Sequence, residues 1–340
     1  MENKNILLTG IAGFIGFHLA RKIIQETTFN IVGIDNLNDY YDRKLKLDRL
    51  CELGLNVPGD SKINKSCSSN RIQFHHVSIE EYNSLFEIMK NSQPVIVIHL
   101  AAQAGVRYSI VNPHAYAQSN LVGFLNMQEV CRTFPVQHFL YASSSSVYGM
   151  NEKVPYTESD PVEKPISIYA ATKRANELMA FTYSHLYKVP ATGLRFFTVY
   201  GPWGRPDMAY FSFTDKILKG EELEVYGNGI PERDFTYVDD IVDGIINLMD
   251  KPPLKETPSR ILNIGNNQPV QLGEFISTIE EVIGKKARKK MVNMQAGDVL
   301  KTFADVSSIE QLTGFKPNTG LKTGLTHFWN WYKTYYNINE

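Results

Sequence analysis

A short apolar run, Asn5 to Leu8, ends in Thr9-Gly10-Ile11-Ala12-Gly13-Phe14-Ile15-Gly16, and Phe17 to Glu26 then places apolar side chains at helical spacing. Strand, glycine turn and helix in that order leave little choice of fold. The glycines let the backbone approach a pyrophosphate, and the helix N-terminus offers unpaired N–H groups and the positive end of its dipole. A second apolar strand, Asn30 to Ile34, ends at Asp35, 19 residues after Gly16. An acid at that separation is placed to bind an adenosine ribose 2′-hydroxyl and to repel a 2′-phosphate, which favours NAD over NADP.

Strands and helices then alternate. Ile72 to Val77, Val95 to Leu100, Gln137 to Ala142 and Ala191 to Phe197 read as strands; Tyr82 to Asn91, Asn112 to Arg132 and Tyr169 to Tyr187 read as helices. Such alternation predicts an α/β fold, a Rossmann-type doubly wound parallel sheet with helices on both faces. Ligands bind at the carboxyl ends of its strands. The glycine turn, Asp35, a serine run (Ser143 to Ser146) and the segment after Arg195 all fall in that layer. Two stretches are expected to be solvated: a polar, charged helix from Asn36 to Glu52 and an exposed loop from Leu53 to Asn70. His99 is expected to be a packed histidine, and no second His or Cys sits at ligand spacing, so no metal is expected.

Composition narrows the partners. In 340 residues with 43% apolar and 21% charged side chains, the net charge is only −1, so neither a nucleic acid nor a membrane surface is expected as partner. The longest apolar runs are too short to span a bilayer. Three cysteines without a C-x-x-C pair, and an N-terminus that runs straight into a strand, suggest free thiols and a cytoplasmic protein.

Chemistry is suggested by Tyr169-Ala170-Ala171-Thr172-Lys173. A phenol and an ammonium four residues apart share one face of a helix. At about 5 Å and an effective dielectric near 20, the charge of Lys173 favours the phenolate by roughly 3 kcal/mol, making Tyr169 a usable base. Alone, the pair is more often a solvated surface feature.

The whole set of motifs resembles the extended short-chain dehydrogenase/reductases and, within them, the NAD-dependent nucleotide-sugar epimerases. Its marks are the glycine turn, Asp35-Asn36, His99-Leu100-Ala101-Ala102, the serines before Val147-Tyr148-Gly149, Tyr169 with Lys173, and Arg233-Asp234-Phe235-Thr236-Tyr237-Val238-Asp239-Asp240. The resemblance implies a tightly bound NAD held by Gly10, Gly13, Phe14, Ile15, Gly16, Asp35, Asn36, Ser78, Ile79, Leu100, Ala101, Ala102, Tyr169 and Lys173. Ser78 stands where relatives usually carry an Asp. It further implies a smaller C-terminal α/β substrate domain: residues 1–197 and a returning segment of about 238–265 would hold the cofactor, with 198–237 and 266–340 holding the substrate.

Among such proteins, dehydratases carry Asp-Glu before the Val of Val147-Tyr148, and uronate decarboxylases carry a Glu directly before it. Here Ser145 and Ser146 stand in those places, which favours plain epimerisation, with Ser144 as the hydroxyl beside Tyr169. The stretch Arg195 to Met208, with Asp39-Tyr40-Tyr41-Asp42 and Gln103 to Ser109, looks like the members that epimerise UDP-glucuronate at C4. A carboxylate on the sugar calls for a donor fork, and Arg205 with Thr198 is the candidate. By the same resemblance, Arg107, Ser144 and Ser145 would bind the substrate, Tyr226 would stack on uracil, Arg233 would bind the diphosphate and Asp298 a ribose. Asp239 and Asp240 are expected to cap a helix and to be structural. A homodimer formed through the helices of 112–132 and 169–187 is implied too. Two alternatives stay open: an epimerase of neutral UDP-sugars (UDP-glucose or UDP-N-acetylglucosamine), and a non-catalytic NAD-binding protein on the same fold.

Overall fold

The structure, a computed structural model, describes residues 4–59, 65–294 and 300–338. Strands β1 (Asn5–Thr9) and β2 (Asn30–Asp35) pair in parallel through helix α1 (Phe14–Glu26). α1 starts at Phe14 rather than Phe17, so it takes in the third glycine of the turn. A Cβ on Gly16 would lie 2.0 Å from the carbonyl oxygen of Gly10, so only glycine lets the helix begin folded back on its own turn.

The expected helix over 36–52 shortens to α2 (Arg43–Glu52), capped by the Asp42 carboxylate, which accepts the Lys44 N–H at 2.8 Å. Its charges are not all solvated: Lys46 and Arg49 are 5% and 0% exposed. The expected loop over 53–70 contains β3 (Lys65–Ser69), antiparallel to β4 (Ile72–His76). β3 is a polar edge strand, so it lacks the apolar alternation that marks a half-buried strand.

After α3 (Tyr82–Ser92) and β5 (Ile96–His99), the single helix expected over 112–132 is instead α4 (Tyr108–Val111), α5 (Pro113–Tyr116), a π-helical run from Ala117 to Val122, and α6 (Gly123–Thr133). Asn112 leaves helical geometry before Pro113 and caps Ala115. In the π run, the amide of Asn176 donates to the Asn120 carbonyl at 2.6 Å.

Strands β6 (His138–Ser144) and β7 (Ala191–Phe196) flank α7 (Ile168–Tyr187). The chain then leaves for β8 (Thr198–Tyr200), α8 (Ala209–Lys219), β9 (Glu222–Tyr226) and β10 (Glu232–Tyr237). It returns through α9 (Val238–Ile246) and β11 (Ser259–Ile264), and finishes with β12 (Pro269–Gln271), α10 (Leu272–Ile283), β13 (Arg288–Val292), α11 (Ser307–Thr313) and α12 (Leu321–Tyr335). The main sheet runs β11-β7-β6-β5-β1-β2-β4-β3 and is parallel except for β3; β12-β10-β8 and β13-β9 form two small sheets. Register aligns Thr9 with His99 and Ser144 with Phe196, so those strand ends share one rim.

Asp239 and Asp240 are not caps. Tyr237 is the N-cap residue of α9 and makes no side-chain cap. Asp240 instead accepts the N–H groups of Asn318 and Thr319, both at 3.2 Å, and Asp239 faces His18 Nδ1 at 3.4 Å. The aromatic face of α12 covers α8 and the segment after β8: Trp331 and Tyr335 lie 5.3 and 5.2 Å, ring to ring, from Trp203.

Candidate active site

A cavity of about 400 Å³ opens along the carboxyl rim of the main sheet. Gly10, Gly13, Phe14, Ile15 and Gly16 form one wall. The first turn of α1 has no side-chain cap, so its leading N–H groups face the cavity as donors for an anion. Asp35 stands beside them, 8% exposed, its carboxylate accepting Ala12 N–H at 3.1 Å and Leu37 N–H at 2.9 Å. That leaves lone pairs for a ribose hydroxyl. A tight glycine cradle, a helix N-terminus and an adjacent fixed acid fit a dinucleotide. Asn36, Ile79, Leu100, Ala101 and Ala102 continue the same wall. Ser78 does not line the cavity; its hydroxyl donates to Glu80 at 2.9 Å.

Lys173, Tyr169, Ser144 and Ser145 line the middle of the cavity. Ser144 sits at the end of β6, which is fixed from beneath by buried charge. Ser143 donates to Glu177 at 2.7 Å, and Glu177 is paired with Arg195 at 2.8 Å. Tyr169 and Ser144 line the cavity together, and Tyr169 packs edge-on against Tyr116. Burial raises the Tyr169 phenol above its ordinary pKa, opposed first by the Ser144 hydroxyl and then by the charge of Arg205. The sequence pointed to Lys173 for that opposing pull; here its ammonium, 4% exposed, donates instead to the Ala142 carbonyl at 2.9 Å. Burial pushes Lys173 down to about 8. His99 is packed between Phe124 and Phe139. Because Thr9 Oγ1 accepts the Ala101 N–H at 3.1 Å, its own proton is free to donate to His99 Nδ1 at 2.8 Å. This fits a neutral imidazole, which burial and, secondarily, Lys173 push down to about 3.

Thr198 and Arg205 close the far end. They stand on a segment of unusual backbone: Trp203 has φ +57°, and a Cβ on Gly204 would lie 1.7 Å from Tyr210 Oη. Arg49 fixes this segment from below. It donates to Trp203 O from Nε (3.1 Å) and Nη2 (2.6 Å), to Gly204 O (3.0 Å), to Ala12 O (2.9 Å) and to Tyr41 Oη (2.7 Å). One buried guanidinium thus ties the glycine turn to the segment bearing Arg205. Arg205 in turn grips Asp207 bidentately. Burial opposes the Arg205 charge, but Asp207 more than offsets this and keeps the guanidinium above its ordinary range.

The remaining expected substrate contacts are less gathered. Arg107, Tyr226 and Arg233 do not line the cavity. The Arg107 guanidinium lies 5.2 Å from the centre of the Tyr226 ring, which joins the two lobes, and Arg233 donates to Glu232 O at 2.9 Å. Asp298 lies outside the described residues. Sequence reading quoted the stretches holding Tyr40 and Gln103 without assigning either to the site, and missed Lys46 and Ser119; all four line the cavity. Lys46 donates to the Asn38 carbonyl and side-chain oxygen at 2.8 and 2.6 Å; burial lowers its pKa, and Asp35 opposes that. Its only sequence signal is a three-residue spacing from Arg49 on one helix face.

The chain belongs to the NAD dependent epimerase/dehydratase family, whose model matches residues 6–265. It is 49% identical to Protein CapI of Staphylococcus aureus, over 97% of this chain and 99% of that protein. It is 43% identical to UDP-glucuronate 4-epimerase 2 of Arabidopsis thaliana, over 98% of this chain and 76% of the plant protein. Its fold matches UDP-glucuronic acid 4-epimerase from Bacillus cereus, crystallised with UDP-glucuronic acid and NAD, with a TM-score of 0.87 and 30% identity over 98% of this chain and 100% of that one. NAD is the cofactor, and the glycine turn and Asp35 suit it.

Proposed function

We propose that this protein interconverts UDP-glucuronate and UDP-galacturonate by epimerisation at C4, with no net redox change. The observation that supports the reading is one cavity lined by Tyr169, Ser144, Thr198 and Arg205 together, with serine at both 145 and 146. Bound NAD supplies a reversible hydride acceptor, so that the sugar passes through a 4-keto form and is restored with inverted C4.

Tyr169, as phenolate, takes the proton of the C4 hydroxyl, with Ser144 bridging, and returns it to the product. Lys173, seated on Ala142 O, would hold the nicotinamide ribose. Ser145 and Thr198 donate to the sugar, and Arg205 supplies the charge-assisted contact that an acid group needs. A 4-keto uronate is a β-keto acid and loses CO2 when its carboxylate bond stands perpendicular to the ketone plane. A grip by Thr198 and Arg205 holds it away from that angle before and after the sugar turns. Asp35, Asn36, Ile79, Leu100, Ala101, Ala102 and the glycine turn hold the cofactor, with 1–197 and 238–265 as its domain. Arg107, Tyr226, Arg233 and Asp298 serve the substrate.

Purified protein incubated with UDP-glucuronate and no added NAD should yield UDP-galacturonate by NMR; UDP-xylose or a free keto sugar would sink the reading. An epimerase of neutral UDP-sugars is the second reading, favoured by the Asp207 that neutralises Arg205. Relative turnover of UDP-glucuronate and UDP-glucose separates the two. We also propose a homodimer through α6 and α7, where Leu125, Leu178 and Phe181 are 42%, 53% and 55% exposed. Sedimentation as a monomer at micromolar concentration would exclude it. No helix among the described residues is long and apolar enough to cross a membrane. Three free cysteines support a reducing compartment, and we assign the cytoplasm.

A further inference from the structure

If the sugar carries a carboxylate, as proposed above, it meets an arginine that already holds one. Arg205 Nε and Nη2 donate to Asp207 Oδ1 and Oδ2 at 2.9 and 2.6 Å, a side-on fork. The Tyr40 hydroxyl donates to the same Oδ2 at 3.1 Å, and the Tyr40 ring lies 5.9 Å from the guanidinium carbon. Arg205 and Tyr40 line the cavity, whereas Asp207 does not. We propose that Asp207 is a specificity-determining counter-ion, which holds Arg205 whenever the sugar carboxylate does not and so limits how tightly, and for how long, an acidic sugar is gripped.

Three arguments lead there. First, the Arg205 side chain is only 21% exposed, and a desolvated guanidinium without a counter-charge is costly. Asp207 supplies that charge before any sugar arrives. Second, inversion at C4 requires the sugar to present its other face midway through the reaction, so its carboxylate must leave the clamp and later regain it. With no second partner, each release would strand a buried cation, and the grip would become a trap. With Asp207 in place, Arg205 changes partners without ever being bare. Third, the Arg205–Asp207 pair is neutral overall, which moderates affinity for acidic ligands. The Tyr40 hydroxyl gives the internal carboxylate a second donor, keeping it within reach of Arg205 during the exchange.

The test is Asp207→Asn, which keeps shape and one acceptor oxygen but removes the charge. Wild type is assayed first on UDP-glucuronate: absence of turnover there defeats the functional reading itself, whatever Asp207 does. Given turnover, the variant should show a KM for UDP-glucuronate lowered about tenfold, the size of one charge-assisted contact. Its kcat should fall as well. In a Tyr169→Phe background, where no chemistry intervenes, calorimetry should show the same tightening for UDP-glucuronate and less than a twofold change for UDP-glucose. A raised KM with unchanged kcat would mean that Asp207 only props Arg205 in place, and overturns the proposal; so does an unaltered KM. Tyr40→Phe keeps both charges and loosens Asp207. It should tighten UDP-glucuronate in the same direction by a smaller factor, and it decides the matter if Asp207→Asn fails to fold. Unchanged or weaker binding in Tyr40→Phe then counts against the proposal.

Discussion

Arg49 and Gly204 lie 155 residues apart, yet the guanidinium of the first donates to the carbonyl of the second at 3.0 Å. The same side chain reaches Ala12 O in the glycine turn. The two ends of the cavity are therefore held in register by one residue that lines neither.

Replacing Arg49 should show this directly. Lysine keeps the charge but cannot serve four acceptor oxygens spread over three segments. Arg49→Lys is expected to lose roughly 2–4 kcal/mol in urea unfolding, as buried carbonyls go unpaired. Its kcat/KM on UDP-glucuronate should fall under conditions where the variant remains folded. An unchanged unfolding midpoint would remove Arg49 from this role.

Gly204 has no room for a side chain, because a Cβ there would overlap Tyr210 Oη. Gly204→Ala should therefore displace the segment bearing Arg205 and weaken use of UDP-glucuronate, with a stability loss of about 1–3 kcal/mol from overpacking. Adding Tyr210→Phe removes the hydroxyl nearest the new methyl and should recover part of both losses. A double variant no better than the single one would contradict this account.

Arg205 acts on Tyr169 through its charge as well as on the sugar. Arg205→Ala should lower kcat/KM for UDP-glucuronate by about 10- to 100-fold, the value of a contact of roughly 1.5–3 kcal/mol. It also removes a positive charge that favours the phenolate. The rise of kcat/KM with pH should then move to higher pH. A profile that stays in place would show that Arg205 serves the substrate alone.

Lys173 makes a stability prediction of unusual sign. Its folded pKa is pushed below its unfolded value, to about 8, so the folded state loses the proton first. Between about pH 8 and the unfolded value near 10.4 the unfolded chain binds more protons, and this residue's contribution to stability rises with pH. Below pH 8 the burial cost is present in full. Lys173→Met lacks the charge in both states. Unfolding free energies of the two proteins, compared from pH 7 to 10, should show wild type gaining on the variant as pH rises. A constant difference would contradict burial as the cause.

Much of the fold was legible because its signals are local. The glycine turn, Asp35 and the alternating strands depend on near neighbours and on apolar periodicity. What escaped depends on partners distant in sequence. Lys46 and Arg49 sit in a helix whose composition reads as solvated, and only the fold shows that they turn inward to Asn38, Ala12 and Trp203. β3 and β13 are polar strands on small or edge pairings, without the alternation that betrays a half-buried strand. The Tyr169–Lys173 spacing did place both groups on one helix face, but spacing could not say that Ala142 O would claim the ammonium. Nor could it say that Ser144 and Arg205 would act on the phenol. For the remaining substrate contacts, motif order named Arg107, Tyr226 and Arg233 but not their distance from the cavity.

The return of the chain to the main sheet has a consequence for the order in which the protein is made. β7 has β6 on one side, and among the described residues its other edge is covered by β11, paired from Ser259–Ala191 to Ile264–Phe196. During synthesis, the first seven strands leave the ribosome with that edge bare, and the strand that closes it comes after the whole excursion through β8, β9 and β10. The cofactor lobe therefore completes its sheet only after the first part of the substrate lobe has been translated, and a nascent chain halted before residue 259 carries an open apolar strand edge that is exposed to wrong pairing.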